Sequence, residues 1–215
     1  MSTVALDPGE ALARVGELEI CYQTFGAASD PPLLLIAGVG AQMIVWEDDF
    51  CEGLAGRGLW VVRFDNRDVG KSSQIAWKPP SGAGQPGDKI AAPYLLKDMA
   101  GDAVGLMDFL RIASAHVIGV SMGAMIAQEL AIHWPARVRS LTSISSTTGD
   151  PGLPPPSPET LKVFAAPQPR TPREYVEATV AAWRVFRGPG YPEDERRDRA
   201  RAVRAAARGD RKSVV

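Results

Sequence analysis

Histidine is scarce in this sequence: there are two, His116 and His133, among 215 residues. Chemistry that needs an imidazole has only those two places to find one. Cysteine is equally scarce, with Cys21 and Cys51 alone. That excludes a small secreted scaffold built on disulfides and leaves two semi-buried thiols. Charge of one sign is not in excess, since 24 Lys and Arg stand against 25 Asp and Glu for a formal net charge of −1. This balance gives no electrostatic footing for nucleic acid or an anionic membrane as a partner. The opening "MSTVALDPGEALARVGELEI" lacks a basic stretch followed by a long apolar run. Neither a signal peptide nor a membrane span is read there, and a cytoplasmic address is expected. No Cys/His cluster has metal-ligand spacing, so no metal and no cofactor are expected.

What is present is enough apolar material for one ordinary core, with 45% hydrophobic residues. "ELEICYQTF" (17–25) alternates as a strand would, in a hairpin with the segment before it. "PPLLLIAG" (31–38), "LWVVRFDN" (59–66), "AHVIGVS" (115–121) and "RVRSLTSISS" (137–146) are short apolar runs of the kind that buried parallel strands need. Between them, "EDDFCEGLAGRG" (47–58) reads as a helix closed by glycine. "APYLLKDMAGDAVGLMDFLRI" (92–112) places Leu95, Met99, Val104, Met107 and Leu110 along one helical face. "MGAMIAQELAIHW" (122–134) is a helix stopped by Pro135. Strand alternating with helix predicts an α/β fold with a mostly parallel sheet and helices on both faces.

The pattern breaks after Ser146. "TTGDPGLPPPSPE" cannot continue a sheet, and the polar, helical stretch after it reads as a separate segment lying over the sheet edge. "KPPSGAGQPGDK" (78–89) carries the loop signal of glycine and proline. The expected organisation is a core over 1–150, part of a helical cap over 151–209 and a tail over 210–215.

The chemistry centres on "GVSMG" (119–123), a Gly-x-Ser-x-Gly with Ser121 in the middle. Strand-like "HVIGV" precedes it and helical "MGAMIAQEL" follows, which is the context a nucleophile elbow requires. Gly119 and Gly123 let strand and helix approach without a Cβ clash. A serine at a helix start also faces unpaired N–H groups and the positive end of the helix dipole. The Met122 N–H is thereby aimed at an oxyanion. By position, a second N–H comes from Val39 in the glycine-rich loop "IAGVGAQM" (36–43).

These motifs, in this order, resemble the α/β-hydrolase fold family. "AGVG" resembles its oxyanion loop, "FDNRDVGKSS" (64–73) its Asp-x-Arg-x-x-Gly-x-Ser loop and "GVSMG" its elbow. The resemblance covers roughly residues 15 to 150 and is greatest to the branch of ester hydrolases that includes the aclacinomycin methylesterases. The family often has His-Gly in the oxyanion loop where this chain has Ala37-Gly38. A backbone donor does not depend on that change. The resemblance implies a small-molecule, apolar ester as the partner and an acyl-enzyme on Ser121. It also implies a triad acid and histidine that follow the serine.

Neither histidine fits that last place. His116 is five residues before Ser121 in an extended strand, ~16 Å away at ~3.3 Å per residue. His133 is twelve residues on, ~18 Å away along a helix at ~1.5 Å per residue. A general base must come within about 3 Å. No Ser-x-x-Lys arrangement surrounds Ser121, and Asp150 has no histidine to orient. The expectation is therefore a nucleophile and oxyanion hole without a base, in a chain truncated at its C-terminal side and catalytically inactive, or nearly so. "DRKSVV" can be back-translated into the start of a common sequencing adapter, and residues from about Asp210 onward are expected to be non-native.

Nucleotide binding is the nearest rival, because "GKS" occurs at 70–72; a P-loop would need glycine at 65, which is Asp65. "RGD" at 208–210 reads as chance. A serine in the elbow leaves acyl chemistry: ester, lactone or amide hydrolysis, acyl transfer, or cofactor-free perhydrolysis. A non-catalytic relative is the alternative of a different class. Met43 and Trp46 read either as the wall of an apolar substrate pocket or as core.

Overall fold

The computed structural model describes residues 5–76, 92–167, 169–188 and 190–209. They group into two compact units that divide between Thr148 and Gly149. The expected loop over 78–89 and tail over 210–215 lie outside the described residues.

The first unit is built on a six-stranded sheet. Its strands are β1 (Glu10–Val15), β2 (Leu18–Phe25), β3 (Pro32–Ile36), β4 (Trp60–Phe64), β5 (Ala115–Val120) and β6 (Val138–Ile144). Their order across the sheet is β1-β2-β4-β3-β5-β6. β1 and β2 form an antiparallel hairpin turning at Gly16, whose φ is 56°. The four apolar runs β3 to β6 are parallel, as continuous burial on both faces requires. α1 (Asp48–Ala55), α2 (Leu96–Phe109) and α3 (Met122–His133) make the crossovers. Alternation along the strands sorts the core. Leu34, Ile36, Val62 and Phe64 face Met99, Leu106 and Met107 of α2 and Ile126 and Leu130 of α3. Leu33, Leu35 and Val61 face Cys51 of α1 on the other side. α1 ends earlier than the sequence predicts, at Gly56 with φ −62°, while the left-handed glycine of the turn is Gly58 at 80°.

One residue breaks the apolar reading of β4. Arg63 is fully buried, with Asp48 at 2.5 Å, Gln23 Oε1 at 2.6 Å and the Trp46 carbonyl as partners. A buried guanidinium is tolerable only when its charge is compensated. Here both terminal nitrogens are paired while Nε has no hydrogen-bond partner among the described residues, and the pairing ties β4 to the start of α1.

The second unit contains α4 (Pro158–Phe164), α5 (Pro172–Phe186) and α6 (Glu195–Arg208). Ser157, Thr171 and Asp194 cap them by accepting from the N–H groups of Thr160, Glu174 and Arg197. α5 and α6 pack through Val176, Val180 and Ala202. The buried Asp198 is held by Arg187. No helix among the described residues is long and apolar enough to cross a membrane.

Candidate active site around Ser121

Ser121 sits between β5 and α3 with φ 54° and ψ −124°. Side chains rarely adopt that region, and a non-glycine residue held there carries strain of order 1–3 kcal/mol. The surroundings impose it. The Ser121 N–H donates to the Ile144 carbonyl at 2.9 Å. The Ser121 carbonyl accepts from Ala124 N–H at 3.0 Å and from the Ser146 hydroxyl at 2.8 Å. The end of β6 thus clamps the elbow from both sides of the peptide. The two flanking glycines are obligatory in this arrangement. A Cβ on Gly119 would lie 2.4 Å from the Gly123 carbonyl oxygen, and one on Gly123 would lie 2.3 Å from that of Ile36.

Ala37, Gly38 and Val39 carry the chain from β3 past the elbow. A Cβ on Gly38 would stand 3.3 Å from Ser121 Cβ and 3.7 Å from its Oγ, so this loop is in contact with the candidate nucleophile. Gly40 turns it with φ 64°, and Val39 is 60% exposed. Among the described residues, the backbone N–H groups of Val39 and Met122 have no acceptor. Free backbone N–H groups of this kind are what a developing oxyanion needs.

The loop after β4 holds this arrangement in place, through Asp65 and Asn66, whose partners reading the sequence did not find. Asp65 is fully buried and accepts from Met43 N–H at 2.7 Å and from Lys71 N–H at 2.9 Å. Asn66 donates to the Ala37 carbonyl at 3.1 Å. Ser72 bridges the Asp65 carbonyl and Cys21 N–H. Arg67 makes a two-pronged pair with Asp102 of α2, both bonds 2.6 Å, and lies over the Tyr94 ring. Asp68 accepts from the Tyr94 hydroxyl and from Ile75 N–H, each at 2.7 Å. The only advance signal was the motif "FDNRDVGKSS" itself.

Other residues singled out from the sequence lie as follows. Met43 has no exposed surface; Trp46 is 8% exposed, packs with Leu33 and Leu35, and stacks on Phe50 at 5.8 Å. Both side chains are packed as core. His116 Nδ1 bonds Ser140 Oγ at 2.8 Å, and His133 bonds Glu129 at 3.1 Å. Asp150 is exposed and caps its own turn by accepting from Gly152 N–H at 2.7 Å. Among the described residues, Ser121 Oγ has no hydrogen-bond partner. No group of three or more His, Cys, Asp or Glu among them could hold a metal ion.

Known proteins are similar to this chain. A family model described as "alpha/beta hydrolase fold" matches residues 31–185. The chain is similar to Rhodomycin D methylesterase DnrP of Streptomyces peucetius, 32% identical over 209 residues, covering 88% of this chain and 66% of that protein. It is similar also to Rhodomycin D methylesterase DauP of Streptomyces sp. (strain C5), 34% identical with the same coverage. Among solved structures, a hydrolase from Pseudomonas aeruginosa PA01 superposes with a TM-score of 0.63 at 24% identity, over 94% of this chain and 71% of that one. The chain thus spans just under two thirds of the length of the two methylesterases.

Proposed function

The chain belongs to the α/β-hydrolase fold family, and from that premise we propose that it carries the nucleophile of a serine hydrolase acting on carboxylic esters. The observation that carries the reading is the strained elbow at Ser121, with the glycine-rich loop in contact with it at Gly38. Ser121 Oγ attacks the ester carbonyl carbon, and its proton passes to a general base. The N–H groups of Met122 and Val39 take the oxyanion. The alcohol leaves with a proton, and water then releases the acid and restores the serine. Similarity to two methylesterases favours a methyl ester as the substrate class, and the exposed Val39 side chain in the loop whose Gly38 touches the serine favours an apolar acyl part. Similarity to carbamate hydrolases is confined to about 60% of the chain and carries less weight.

Both histidines of the sequence are engaged away from Ser121. We therefore place the base, and the acid that orients it, in sequence beyond these 215 residues, with residues 151–209 read as part of a helical cap. The test is covalent labelling by a fluorophosphonate, located by mass spectrometry. The adduct is expected on Ser121, slowly, and lost in Ser121→Ala. Labelling elsewhere, or unchanged in Ser121→Ala, would overturn the assignment.

A further inference from the structure

The end of the sheet away from Ser121 carries cations that ester chemistry does not use. Ser121 follows the last residue of β5, whereas Pro32, Trp60, Ser114 and Arg139 lie at the starts of β3, β4, β5 and β6. Two adjoining grooves open there, of about 440 and 310 Å³, and Arg111, Ile112 and Ala113 line both.

Arg111 is in an unexpected conformation. It follows α2 with φ 59°. Its N–H bonds the Asp108 carbonyl at 3.0 Å, and the next N–H, of Ile112, bonds that of Met107 at 2.8 Å. That pair of bonds is the Schellman closure, whose left-handed position is usually glycine or asparagine. A long side chain there costs ~1 kcal/mol that glycine would not. The Arg111 side chain is exposed and has no hydrogen bond or ion pair among the described residues. A strained residue whose side chain does nothing for the fold is a pointer to a ligand.

Its neighbours complete the groove. Arg137 is spent on the frame: it donates to the carbonyls of Ala113 and Ile112, both at 2.8 Å, and pairs with Asp108 at 2.7 Å. Arg139 uses its Nε on Ser114 Oγ at 2.9 Å, which leaves its two terminal amino groups. Asp30 is the carboxylate of the smaller groove, against two guanidiniums. Trp60, half-buried, gives that groove an apolar wall.

We propose that this groove binds a phosphate monoester, its dianion held by Arg111 and Arg139 and its apolar part laid against Trp60. Guanidinium forks match phosphate oxygens in pairs. The site is independent of the Ser121 chemistry.

The test is titration of the 215-residue chain with phenyl phosphate, inorganic phosphate and phenol, followed by calorimetry. Phenyl phosphate is expected to bind more tightly than inorganic phosphate, and phenol not at all. Arg111→Gly should lower phenyl phosphate affinity about tenfold or more, the loss of a charged hydrogen-bond pair. It should also melt higher than the parent, because glycine relieves the backbone. Trp60→Ala should erase the preference for phenyl phosphate while leaving inorganic phosphate bound. No saturable binding up to about 10 mM, affinity unchanged in Arg111→Gly, or a lower melting point in that variant would each overturn the proposal. Equal binding of the two phosphates would overturn the role of Trp60.

Discussion

Ser121 pairs function with strain at a single residue. With φ 54° and ψ −124° it sits where glycine is at ease and serine is not. Ser121→Gly is therefore expected to stabilise the chain by ~1 kcal/mol, a rise of about 2–4 °C in melting temperature, while ending fluorophosphonate labelling. Ser121→Ala should end labelling without that rise, because alanine keeps the Cβ. A Ser121→Gly variant that melts lower would mean that the elbow is unstrained. Gly-x-Ser-x-Gly made this residue legible in the sequence, since the motif encodes the local backbone. Asp65 and Asn66 were not legible in the same way. Their partners, Met43 and Ala37, lie 22 and 29 positions away, and no local pattern encodes a bond of that span.

Cys51 belongs to the same scale. It lies on α1's packing face, fully buried against Leu33, Leu35 and Val61 of the sheet. Burial pushes its thiol from 9.0 up to about 11, with the Arg63 charge offsetting only part of the rise. A folded-state pKa above the unfolded one gives stability that is complete below pH 9.0 and is lost as pH rises toward about 11. Two outcomes follow: Cys51 should resist alkylation near pH 8 in the folded chain, and Cys51→Ala should flatten the decline of melting temperature between those two values. Rapid alkylation of folded protein near pH 8 would contradict the burial.

At the scale of elements, the contact between β3 and the first turn of α3 sets the distance from the oxyanion loop to the serine. Gly123 makes that contact. A Cβ there would meet the carbonyl oxygens of Ile36 at 2.3 Å and Ala37 at 2.5 Å, both backbone atoms that have nowhere to go. Gly123→Ala is expected to cost about 3 kcal/mol, the upper range for overpacking. Gly105 in α2 offers a control. Its Cβ would meet Val15 Cγ1 at 2.3 Å, but that is a side-chain methyl that can turn away. The gain in helix propensity works against the clash, so Gly105→Ala should stay within about 1 kcal/mol. Urea denaturation of the two variants separates them; equal losses would mean that the elbow is not tightly packed. The four parallel strands and three crossover helices were readable because each is a short apolar run or an amphipathic stretch with its own stop signal. Arg63 was the exception, because an apolar run gives no hint that its one charge is compensated from α1.

At the scale of the whole molecule, the family match runs to residue 185, past the stretch of 15–150 in which motifs could be recognised. Beyond Ser146 the chain turns helical and polar, and helices of that kind carry no spacing that identifies them. The sheet's own outline says more. β1 closes one edge with Val15 against α2. β6 forms the other edge, and five of its seven residues, Arg139, Ser140, Thr142, Ser143 and Ile144, are exposed, unlike the buried β3 and β4. An edge strand of this length, exposed among the described residues, is a template for pairing with another strand. The 215-residue chain should therefore self-associate as its concentration rises through the micromolar range. Thr142→Lys, which places a charge in the middle of that edge, should shift the chain toward monomer without lowering its melting temperature. Sedimentation velocity over a concentration series reads both effects. A parent that stays monomeric throughout, or a Thr142→Lys variant that associates as strongly, would mean that β6 is not the surface through which copies meet.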